Sequence, residues 1–237
     1  MPDTHPPRFA SIVQEALTIP GPLGSLEGIL AYSADAVAEP ARTILIVGPH
    51  PMLGGDFDNN VVRELSQQLV AGNALTLRFN FRGVGNSDGS PVVSTDNIAE
   101  FWSRSTVNGE IAWQDDVAAC AGFLRSQTGR VDTVVGYSFG AWLAGHWAVA
   151  QPDVESLILL APTISQHDYS HLANSSQRKL IIASRDDFAV PGDELARQFE
   201  TWSEPKRLSV AAMDNHFFRG YEQSVAGQIQ DFLESAA

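Results

Sequence analysis

Short apolar runs alternate along the chain with longer segments whose apolar residues recur every three to four positions. TILIVG (43–48) has the length and composition of a buried strand. In residues 59–72, Val61, Val62, Leu65, Leu69 and Val70 fall on one helical face and Gly72 marks a stop. The alternation continues with a strand over 74–81, a helix over 110–129, a strand over 131–137 and a helix over 139–152 stopped by Pro152. Further strands are predicted at 154–162, 178–184 and 206–213, and helices at 192–204 and 220–236. Upstream, residues 15–20 and 25–33 read as antiparallel strands joined by the turn-rich GPLG (21–24).

Strands alternating with helices predict an α/β fold: a mostly parallel, twisted sheet with helices on both faces. No linker or internal repeat divides the chain, so residues 1–237 are expected to form one domain, with 1–14 as a loosely ordered tail. Two stretches, 90–108 and 163–176, fit no regular element. Both follow strands at the expected carboxyl edge of the sheet, where such folds bind ligands. Residues 90–108, carrying Phe101 and Trp102, are a candidate short lid.

Composition narrows the partners. The 237 residues carry a formal net charge of −13, which repels phosphate backbones and anionic membranes. No apolar run reaches the roughly 18 residues of a membrane span. The first residues lack a basic region followed by an apolar one, and Cys120, the single cysteine, forms no internal disulfide. These features predict a cytoplasmic protein with neither nucleic acid nor membrane as its partner.

The candidate chemistry starts at VVGYSFGAW (134–142), where Ser138 stands between Gly136 and Gly140 as a strand gives way to a helix. G-x-S-x-G in that context is the pattern of a nucleophile elbow; the bland alternative is a turn whose serine caps the helix. A serine hydroxyl needs a base, and the base needs an orienting acid. RKLIIASRDDFAVP supplies Asp186 and Asp187 after a strand, and KRLSVAAMDNHFFRG supplies His216 after the next. Spacing ahead of Pro191 favours Asp187, with Asp186 the alternative; Asp214, on the same loop as His216, is a poorer orienter. His5 lies in a Pro-rich tail, His146 inside a helix, and His167 and His171 in the irregular stretch. A metal reading of the last two lacks a third ligand, and none is assigned.

The loop after the first parallel strand, GPHPMLGGDFDNN (48–60), is placed to supply a backbone N–H to a developing oxyanion. Pro51 has no N–H, so Met52 is the candidate, with Leu53 next, beside Phe139 directly after the nucleophile. His50 is expected to brace that loop. His50, Leu53, Phe57, Trp102 and Phe217 are expected to line the substrate pocket. NFRGVGNSDG (80–89) lacks both the P-loop lysine and the third glycine of a dinucleotide fingerprint, and reads as a turn.

Taken together, GPHPMLGGDFDNN, RFNFRGVGNS, GYSFGA and NHFF resemble the α/β-hydrolase superfamily, and most closely its small bacterial dienelactone-hydrolase-like members. The resemblance runs from about residue 25 to the C-terminus. It implies the α/β-hydrolase fold with little or no cap domain. It also implies Ser138 as nucleophile, His216 as base, Asp187 as orienter, Phe139 and Met52 as oxyanion donors, and no cofactor. Dienelactone hydrolases proper carry cysteine where this chain has Ser138. The implied activity is hydrolysis of a small-molecule acyl substrate, a carboxylic ester, thioester or amide, through an acyl-enzyme. Acyl transfer with the same residues, a cofactor-free lyase, and a non-catalytic binding protein remain as alternatives.

Overall fold

A computed structural model of the chain describes residues 11–35, 39–185, 187–211 and 216–235. Among these, eight strands form one sheet in the order β1-β2-β4-β3-β5-β6-β7-β8. The strands are β1 (Ile12–Gly21), β2 (Gly24–Ser33), β3 (Arg42–Val47), β4 (Ala74–Phe79), β5 (Thr133–Tyr137), β6 (Ser156–Leu160), β7 (Arg178–Ser184) and β8 (Lys206–Ala211). The β1–β2 hairpin pairs antiparallel onto β4, and every pairing from β4 to β8 is parallel. β1 begins earlier than expected. Ile12, Val13 and Gln14 pair with Ser33, Tyr32 and Ala31, so ladder hydrogen bonds draw these residues out of the predicted tail.

The central strands are near-continuous apolar runs because helices cover both of their faces. Ile44, Leu45, Ile46 and Val47 are fully buried. The helices are α1 (Asn60–Ala71), α2 (Thr95–Arg104), α3 (Gln114–Thr128), α4 (Phe139–Ala148), α5 (Gly192–Thr201) and α6 (Glu222–Glu234). α1 packs on α6, and α3 packs on α4, each pair also meeting the sheet. β8 closes the sheet as an edge, with half-buried and exposed positions along its length.

α2 was not expected; residues 90–108 had read as irregular. Ser94 caps it by accepting the Asn97 N–H, and Arg104 lies in its last turn. A short 3-10 turn, Ser170–Asn174, likewise occupies part of 163–176. No cap domain stands above the sheet among the described residues.

The strand order reverses at β3. The chain steps from β3 to β4 on one side, then crosses to β5 on the other. Loops leaving the carboxyl ends of β3 and β5 therefore splay apart there and open a crevice, the usual ligand position in an open α/β sheet. The His50 loop and Ser138 both lie at this point.

Candidate active site

β5 delivers Ser138 on a strained turn. Its backbone sits at φ 57°, ψ −121°, a region that residues with a side chain rarely adopt. Two glycines permit the turn. A Cβ on Gly136 would lie 2.4 Å from the Gly140 carbonyl oxygen, and one on Gly140 would lie 2.3 Å from the carbonyl oxygens of Val47 and Gly48. The close approach at Gly140 brings the elbow against the end of β3. The Ser138 N–H is anchored to the Leu160 carbonyl of β6 at 2.8 Å. Although Ser138 occupies the N-cap position of α4, its side chain makes no capping bond.

The hydroxyl instead joins a buried chain of hydrogen bonds. Ser138 Oγ lies 2.8 Å from His216 Nε2, and His216 Nδ1 lies 2.8 Å from both carboxylate oxygens of Asp187. A carboxylate only accepts, so Nδ1 carries the ring proton and Nε2 turns its lone pair to the serine. Asp187 Oδ1 also accepts the Ala189 N–H at 2.8 Å, which fixes the carboxylate on its own loop. Tyr137 donates its hydroxyl to the His216 carbonyl at 3.1 Å and stacks beside the ring. Burial raises that phenol's pKa, so it stays a donor. Asp186 and Asp214, the other acids weighed from sequence, lie outside the described residues, as does His5.

The loop after β3 carries the remaining polar groups. The Met52 N–H donates to His50 Nδ1 at 3.1 Å, and the Leu53 N–H to the His50 carbonyl at 3.0 Å. The expected oxyanion donor is therefore held by a ring nitrogen of the preceding histidine. The Phe139 N–H, first in α4, has no acceptor within the helix. His50 Nε2 points at Glu110 Oε2, 3.3 Å away, and His167 Nε2 meets Glu110 Oε1 at 2.8 Å. The Val107 N–H also donates to Glu110 Oε2, at 2.8 Å. Burial opposes charge on Glu110, but the bonds from His167, His50 and Val107 outweigh it and hold the carboxyl at about 2. Burial lowers the His50 pKa despite the neighbouring carboxylate.

A cavity of about 310 Å³ opens over Ser138. Its wall includes four of the five residues expected there: His50, Leu53, Trp102 and Phe217. Phe57 is a correction. Its loop folds back, the Phe57 N–H bonds Asn80 Oδ1 at 2.7 Å, and its ring lies beneath Arg78 in a separate groove against β1 and β2. The direction of a side chain in a loop has no periodicity from which to read it. α2 contributes Phe101 and Trp102 to the wall. Thr163, Gln166 and His167 line it from the loop after β6, so the irregular stretches at the carboxyl edge carried the missing signal. His171 packs against His146, with ring centroids 4.0 Å apart and the planes tilted by 35°. Glu110 was missed; it had read only as the start of a helix. NFRGVGNSDG is a turn, with Asn80 and Asn86 bonded to Glu27.

Comparison with known proteins agrees with this architecture. An uncharacterized protein of Rickettsia prowazekii (strain Madrid E) is 28% identical over 223 residues, covering 90% of this chain and 86% of its own. An alpha-beta serine hydrolase homologue from Coxiella burnetii superposes with a TM-score of 0.78 at 27% identity, covering 92% of this chain and 97% of that one. An a/b serine hydrolase without lid from Xanthomonas campestris gives a TM-score of 0.77 at 26% identity, over 94% and 97% of the two chains. The model of the alpha/beta hydrolase family matches residues 44–236, from β3 through α6, and the chain belongs to that family.

Proposed function

We propose that this protein is a serine hydrolase for uncharged carboxylic esters, thioesters or amides with an apolar acyl group. One observation carries the reading: the unbroken, buried hydrogen-bond chain from Ser138 Oγ through His216 to Asp187, on a turn whose strain serves no capping role. Ser138 Oγ attacks the carbonyl carbon while His216 Nε2 takes its proton. Asp187 holds the imidazole in that tautomer and stabilises the imidazolium. His216 then protonates the leaving group. Water, deprotonated by the same ring, attacks the acyl-enzyme and releases the acid.

The tetrahedral oxygen needs donors, and the Phe139 N–H is the first. Met52 is the second. Its N–H rests on a neutral ring nitrogen, and an anionic oxygen is the stronger acceptor, so the bond shifts toward the oxyanion as charge develops.

The substrate class follows from the cavity wall. None of its described lining residues is Lys, Arg, Asp or Glu. Leu53, Trp102, Phe188 and Phe217 surround it with 44%, 77%, 64% and 39% of their surface exposed, an apolar rim for a substrate to cover. A carboxylate on the substrate would lose water there and find no cation. The expected result is a kcat/KM for p-nitrophenyl butyrate at least about tenfold above that for the near-isosteric mono-p-nitrophenyl succinate, a difference of about 1.4 kcal/mol. Equal values, or preference for the anion, would remove the proposed substrate class. Repeating the assay with an added alcohol or amine separates hydrolysis from acyl transfer.

A further inference from the structure

Glu110 takes no part in the reaction as written, yet it joins three loops at the carboxyl edge. His50 comes from the loop after β3, His167 from the loop after β6, and Glu110 from the 3-10 turn that precedes α3. An aromatic cage surrounds the His50 end, with Phe139 at 4.6 Å, Phe101 at 4.7 Å and Trp113 at 5.5 Å between ring centroids. His167 stacks on Trp142 at 4.3 Å, and its Nδ1 meets Thr163 Oγ1 at 2.7 Å.

The donors and acceptors allow one assignment around His50. A carboxylate has no proton to give, so the ring nitrogen facing it, Nε2, must be the donor. A backbone N–H cannot become an acceptor, so the nitrogen facing Met52, Nδ1, must be bare. Both conditions are met by the neutral Nε2–H tautomer alone. The other tautomer would set two N–H groups against each other at Met52 and leave Nε2 facing Glu110 with no proton between them.

We propose that Glu110 is a positioning residue: it fixes the tautomer of His50 and, through it, the acceptor that holds the Met52 N–H, the second oxyanion donor of the hydrolase reading. The catalytic consequence rests on the hydrolase reading above. The wiring itself rests only on the hydrogen bonds.

What matters in this scheme is the acceptor oxygen at Oε2, shared by Val107 and His50, rather than the charge. Two substitutions separate these. In Glu110→Gln the Val107 N–H admits only the carbonyl oxygen at that position. His50 therefore keeps its partner, while the new amide NH₂ faces His167. His167 then moves its proton to Nδ1, where Thr163 Oγ1 accepts it. In Glu110→Met no acceptor remains and the His50 tautomer is released.

The test combines kinetics on p-nitrophenyl butyrate with NMR of protein labelled with nitrogen-15 at histidine, which reads each ring nitrogen. Wild-type His50, assigned by its loss in His50→Asn, is expected with Nε2 protonated and Nδ1 bare near neutral pH. Glu110→Gln is expected to leave His50 unchanged, convert His167, and keep kcat within about threefold. Glu110→Met is expected to lose about 10- to 100-fold in kcat with KM within about threefold, the cost of a displaced donor. A His50 protonated at Nδ1 in the wild type overturns the proposal. So does a Met variant with kcat within about twofold of wild type, or Gln and Met variants that fall alike. If Glu110→Met does not fold, the wild-type and Gln spectra decide. A folded wild type whose serine no fluorophosphonate labels sinks the hydrolase reading, and the ring-nitrogen shifts then judge the wiring by themselves.

Discussion

Ser138→Ala is expected to lower kcat by at least about 10⁴-fold, and His216→Ala by a comparable factor, with the double variant no worse than either alone. The non-additivity is the informative part. Ser138 Oγ and His216 Nε2 share one proton across 2.8 Å, so removing either end abolishes the same step. The rate that survives would come from binding and from the oxyanion donors, which neither substitution touches. Ser138→Ala removes one oxygen, leaves Gly136 and Gly140 in place, and should unfold thermally within a few degrees of wild type, whereas His216→Ala leaves the buried Asp187 carboxylate without its ring donor and is expected to unfold at a lower temperature. For Ser138→Ala, an equal unfolding midpoint with a lost kcat assigns the effect to chemistry. A kcat within tenfold of wild type in Ser138→Ala would show that the strained turn is scaffold.

Asp187→Asn is expected to cost about 10⁴-fold in kcat with little change in KM, through the tautomer of His216. The carboxylate accepts from Nδ1 with both oxygens. An asparagine can present its NH₂ to the ring instead, which draws the ring proton to Nε2. That nitrogen then meets the Ser138 hydroxyl as a donor and cannot take its proton. Asp186→Asn is the control and is expected to retain kcat within about threefold. Steady-state kinetics on p-nitrophenyl butyrate measures both. The reverse ranking would move the orienting role to Asp186.

Much of this arrangement was legible in the chain. The buried strands announce themselves as apolar runs because both of their faces are covered: 43–48 became β3 (Arg42–Val47), and 178–184 matches β7 residue for residue. The elbow was legible from two glycines, whose need for close backbone approach is a local property. The positions of Asp187 and His216, each after a strand, follow from the same alternation, since parallel strands deliver their following loops to one edge.

What escaped the sequence depends on contacts between distant loops or on the direction of a single side chain. α2 is short and presents only a thin apolar stripe, and Phe101 is its one buried residue. Its capping serine, Ser94, and the acidic Asp96 in its first turn were signals available in the sequence. Glu110 gains its meaning from His50 and His167, 60 and 57 residues away, and no local pattern encodes that meeting. The Met52 N–H was singled out because Pro51 lacks one. Its engagement by His50 Nδ1 depends on the rotamer of a neighbouring ring, which spacing does not report. Phe57 left the expected pocket because Asn80 captures its backbone and turns the loop toward β2.

The central claim is that Ser138 is an activated nucleophile, and its most direct test is covalent. Intact wild-type protein is treated with a fluorophosphonate probe, digested, and mapped by mass spectrometry. The account predicts one stoichiometric adduct, on Ser138, with labelling greatly slowed in His216→Ala. A folded wild type that takes up no probe, or takes it up at another residue, would contradict it.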